Sequence, residues 1–90
     1  MTAEHEEWIG RIRGLVISLE DAGILSSSEC EQVTEYVDHG EAGDGVRLLA
    51  WIIVEEGKKV PVEVVDAIES LSEDVVLPEH MPPTLRDHVV

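Results

Sequence analysis

EAGDGVRLLAWIIVEEG, residues 41–57, admits two readings, and the fold class turns on the choice between them. On a helical wheel Val46 to Val54 is apolar nearly all round, interrupted only by Arg47. That pattern marks a central, well-buried helix. The β-branched run Ile52-Ile53-Val54 also suits a buried strand, which is the alternative. Helix is preferred because the flanking segments have helical spacing and Gly57 stands where a helix stops. Gly43 and Gly45 are poor helix formers, so the sequence leaves the start of this helix open.

Outward from that stretch, the chain reads as three more helices. In residues 2–22 the apolar positions Trp8, Ile9, Ile12, Leu15, Val16 and Leu19 recur at helical spacing. Thr2 is the expected cap and Gly23 the expected stop. Glu4, Glu6 and Glu7 suit the positive end of the helix dipole. Ile24 and Leu25 are expected to fold back onto the core. The next helix is expected to open on a capping box, Ser28 with Glu31, to bury Cys30, Val33 and Val37, and to stop at Gly40. Pro61 is placed for a first turn, with Val64, Val65, Ile68 and Leu71 facing inward. After Asp74 the character changes, because Pro78, Pro82 and Pro83 forbid one regular helix. The expectation is an all-α fold: a small bundle of four short helices over residues 1–74. A Pro-rich C-terminal arm, residues 75–90, packs on the bundle or extends from it, with a short helical turn at 84–88.

Composition narrows the function. Ninety residues make one domain. A hydrophobic fraction of 43% is ordinary for a folded chain. The net charge of −14 argues against nucleic-acid and anionic-membrane partners and favours a basic protein partner or simple solubility. Cys30 is the only cysteine, so no internal disulfide forms, which fits a reducing cytoplasm. The acidic N-terminus lacks the apolar region of a secretory signal. The longest apolar run, Leu48 to Val54, is far short of the roughly twenty residues a membrane span needs.

Residues for chemistry are sparse. His5, His39, His80 and His88 are scattered, with no helical i, i+3 or i+4 pair and no cysteine cluster to make a zinc site. His39 beside Asp38 and Glu35 resembles an acid/base pair, but a histidine at a helix C-terminus already has a reason to be there. The loop HGEAGDG has glycines but also Glu41 and Asp44, which oppose phosphate. Its acids lack EF-hand spacing. Ser18 and Ser70 fit neither the place nor the context of an acyl-carrier attachment serine. Cys30 reads as a buried, inert thiol. No cofactor, metal or enzyme activity is expected.

The unusual feature is acidic. Glu20, Asp21, Glu29, Glu31, Glu35, Asp38, Glu41 and Asp44 fall between Arg13 and Arg47 with no basic residue among them. Glu31, Glu35 and Asp38 lie at i, i+4, i+7, within about 60° on the wheel, opposite Cys30, Val33 and Val37. No cation is close in sequence to pair with this stripe. Like charges at i, i+4 cost about 0.2–0.5 kcal/mol per pair. A solvated, solubilising face is one reading. A docking face for a basic partner is the other, with Tyr36 at its border and Glu41 and Asp44 continuing it.

YVDHGEAGDGVRLLAWIIVEEGKKVPVEVVDAIESL, residues 36–71, resembles the core of MafI-type bacterial immunity proteins. The resemblance rests on the Gly40-Glu41 turn, the apolar helix with its acidic end from Leu48 to Glu56, and the entry into the last helix from Val60 to Glu63. It implies a cytoplasmic immunity protein that performs no chemistry. The implied partner is the basic C-terminal domain of a cognate polymorphic toxin, often a nuclease, bound tightly 1:1. Glu31, Glu35, Tyr36, Asp38, Glu41 and Asp44 are the expected toxin-binding residues, with the arm a lesser contact. The competing expectation is a small acidic adaptor or regulatory subunit, homodimeric through the third helix.

Overall fold

The structure is a computed structural model that describes residues 3–90. Thr2, the expected cap of the first helix, lies outside the described residues. The helices are α1 (Ala3–Asp21), α2 (Ser27–Asp38), α3 (Ala42–Glu55) and α4 (Val62–Ser72). Among the described residues there is no strand. The decisive stretch is helical, and α3 packs against each of the other three helices. Val46, Leu49, Ala50 and Ile53 are fully buried and Leu48, Trp51 and Val54 half-buried, so most of the nearly all-round apolar surface is covered inside the chain.

α1, α2 and α3 end the same way. Gly23, Gly40 and Gly57 have φ of 75°, 76° and 65°. The residue after each donates its N–H back across the helix end: Ile24 to Leu19 O at 2.9 Å, Glu41 to Tyr36 O at 2.8 Å, Lys58 to Ile53 O at 2.9 Å. This is the Schellman closure, and it needs the left-handed backbone that glycine adopts without a Cβ penalty.

The start of α2 corrects the sequence reading. The capping box is Ser26 with Glu29, not Ser28 with Glu31. Ser26 Oγ accepts from the Glu29 N–H at 3.1 Å, and the Glu29 carboxylate accepts from the Ser26 N–H at 2.9 Å. Glu29 also meets Lys58 Nζ at 3.2 Å, which ties α2 to the α3–α4 loop. Pro61 stands just ahead of the first turn of α4, with φ −63°, rather than within it.

One core joins all four helices: Ile12, Val16 and Leu19 from α1, Val33 and Val37 from α2, the α3 set, and Val65, Ile68 and Leu71 from α4. Leu25 joins it after the first turn, as its sequence position suggests. Trp8 spans α1 and α4, its indole N–H donating to Leu71 O at 2.9 Å. Residues 75–90 run over the bundle as two 3-10 turns, Pro78–His80 and Leu85–His88. Leu85 enters the core, and Trp51 donates to His80 O at 2.8 Å. Val60 and Val89 form a parallel bridge, and His88 Nδ1–H donates to Lys58 O at 2.9 Å. No helix among the described residues is long and apolar enough to cross a membrane.

Candidate functional site

α2 sets the geometry of the acidic surface. Its apolar side, Cys30, Val33 and Val37, is buried against the bundle. The same periodicity turns Glu31, Glu35 and Asp38 outward. Glu35 and His39 line one shallow cleft with Glu31 and Asp38 and a second with Tyr36 and Glu41. Asp38 and Glu41 also line a third cleft, of about 570 Å³, with Asp44, His5 and Trp8. The six expected contact residues therefore occupy one continuous surface along α2 and its turn into α3. Tyr36 is exposed and borders a further hollow with Leu48 and Trp51.

No cation stands near the stripe in sequence, but folding brings one to Asp38, and Asp44, which continues the stripe, has one a turn away. Arg13, on α1, meets Asp38 Oδ1 at 2.7 Å. Arg47, one turn into α3, lies 3.9 Å from Asp44 Oδ1. The two arginines that bound the acidic stretch in sequence each meet one of its acids, Asp38 within the stretch and Asp44 at its C-terminal end. Both pairs are about half exposed, where an ion pair contributes little. Glu20 accepts from Ser27 Oγ at 2.9 Å, and Glu29 is held by Ser26 and Lys58. Glu31, Glu35 and Glu41 remain exposed and have no ion pair among the described residues.

The histidine beside the stripe is a cap. His39 Nδ1–H donates to Glu35 O at 2.7 Å, at the carbonyl-rich end of α2. Its exposed ring is held by the backbone and not by a carboxylate. The Cys30 thiol is buried, and burial first, then Glu20 and Glu29, pushes its pKa above the ordinary value. A raised thiol pKa opposes nucleophilic chemistry. Among the described residues no group of three or more histidine, cysteine or acidic side chains could hold a metal ion.

Reading the sequence missed the Arg13–Asp38 pair because its partners sit on different helices, twenty-five positions apart. It also missed Trp8, whose indole stands in the cleft that Asp38, Glu41 and Asp44 share. No protein-family model, no curated protein and no solved structure matches the chain.

Proposed function

We propose that this chain neutralises a basic protein toxin by binding it stoichiometrically, as the resemblance to MafI-type immunity proteins implies. One observation carries the reading: Glu31, Glu35 and Glu41 stand exposed and unpaired on a surface that also presents Tyr36. A folded chain that leaves like charges adjacent loses a little stability. A basic partner turns that loss into complementary charge, which steers association and fixes register. The partner in this reading is the toxin domain encoded beside the chain.

The adaptor reading would use α3 as its dimer face. Leu49, Ala50, Ile52 and Ile53 are buried within the single chain, which weighs against that face.

The test is a titration against the neighbouring toxin domain at low and high salt, with toxin activity followed in the same samples. A variant carrying Glu31→Lys, Glu35→Lys and Glu41→Lys should weaken binding by about tenfold or more and release toxin activity. Glu63→Lys, on the exposed side of α4, should leave both unchanged. Absence of binding by the unmodified chain sinks the reading.

A further inference from the structure

A groove of about 760 Å³ opens between the end of α4 and the chain that follows it. Its walls are apolar: Val75, Val76, Leu77, Met81 and Pro82 line it. Val75 and Leu77 are 50% and 56% exposed, two large apolar side chains left open to water almost side by side. The backbone that forms the groove is fixed. Asp74 takes a left-handed conformation at φ 67°, and the Val75 and Val76 N–H groups both donate to Ser72 O, at 3.1 and 3.0 Å. Pro78 and Pro82 restrict the far wall, and Leu85 anchors its base in the core. A groove held open in this way costs its occupant little ordering.

The lip is acidic. Glu73 and Asp74 line it and have no ion pair among the described residues. Arg86 also lines it, but its guanidinium is spent on Asp66, at 2.9 Å, and Glu69. A second copy of a chain carrying −14, or an anionic lipid, would meet repulsion here. The groove also joins the acidic surface. Val75 lines both the groove and the cleft of Asp38, Glu41 and Asp44, and its carbonyl lies 3.5 Å from where a Cβ on Gly43 would stand. Together they have the anatomy of a protein interface, an apolar pocket within a charged rim.

We propose that this groove receives a cationic amphipathic segment of the protein partner. Apolar side chains of that segment enter between Leu77 and Met81, and its lysines or arginines meet Glu73 and Asp74. The inference deepens the proposed function and rests on its basic protein partner, but its test needs no toxin.

The probe is a short fluorescein-labelled peptide with a leucine–tryptophan core flanked by lysines, titrated into the full chain by fluorescence polarisation. The control peptide has the same core flanked by glutamates. The lysine peptide should saturate, and the glutamate peptide should bind at least about tenfold more weakly. A double variant, Val75→Ser with Leu77→Ser, makes part of the apolar wall polar without changing charge and should weaken the lysine peptide by about tenfold or more. Ile17→Ser, at an exposed apolar position on α1, should not. Glu73→Gln with Asp74→Asn should reduce the salt dependence, and it keeps the test open if the serine variant loses its circular dichroism. No saturable binding, or equal loss in the Val75/Leu77 and Ile17 serine variants, overturns the inference. A chain that binds its toxin but not the peptide leaves the proposed function standing without the groove. A chain that binds the peptide but no toxin does the reverse.

Discussion

Gly45 has only a hydrogen where any other residue would press a Cβ to 3.1 Å from the Val33 carbonyl oxygen and 3.4 Å from Tyr36 Cβ. It lets α3 lie close against α2, the most extensive helix contact in the chain. Gly14, in the middle of α1, meets nothing within 4 Å. The two glycines look alike in sequence and should respond oppositely to alanine. Gly14→Ala should stabilise by about 0.5–1 kcal/mol through backbone entropy. Gly45→Ala gains the same propensity but must overpack against fixed backbone, which costs about 1–3 kcal/mol, so a net loss of about 1 kcal/mol is expected. Urea unfolding of both variants checks the signs, and a stabilised Gly45→Ala would show that the helices can part freely. The candidate site was legible at this scale in part. Wheel positions alone put Glu31 and Glu35 on the surface. They said nothing of Arg13 meeting Asp38, because that pair depends on how α1 lies across α2.

The helix ends were the most legible elements, and α2 shows where legibility stops. Gly23, Gly40 and Gly57 all stood where the apolar patterns end, because the Schellman closure is local chemistry. SSSECE, residues 26–31, offers two capping frames of identical form. Ser26 with Glu29 prevails, since the Glu29 carboxylate also reaches Lys58 across the fold. Ser26→Ala should then cost about 1 kcal/mol, seen as a fall of about 4–8 °C in thermal midpoint, while Ser28→Ala changes little. The Ser26 N–H first, and Lys58 after it, hold the Glu29 carboxyl below its ordinary value of 4.5. A depressed carboxyl contributes its stability in full above the unfolded value and loses it as pH falls through the lower folded value. The stability gap between the unmodified chain and Glu29→Gln should therefore be constant near neutrality and close below about pH 4.5. A gap that does not depend on pH would place the effect in packing rather than charge.

Across the whole molecule charge opposes folding. Twenty carboxylates face six lysines and arginines, and most of the acids have no ion pair among the described residues. The pairs that do form are mostly exposed and contribute little, so there is little attraction for salt to screen. Raising sodium chloride from about 0.02 to 0.5 M shortens the screening length and should raise the thermal midpoint, since more repulsion than attraction is screened. A midpoint that falls with salt would mean that the few ion pairs outweigh the net charge.

The sequence by itself favoured an all-α chain, and it determined where three of its helices stop and which face of each helix is apolar. Those features follow from backbone propensity and a 3.6-residue period, which act within a few residues. The tertiary structure decided which serine caps α2, which carboxylates find arginines, why Gly45 is tolerated inside a helix, and that residues 75–90 leave an apolar groove beside the acidic cleft. Each of these depends on groups far apart in the chain, and only packing fixes the distance between them.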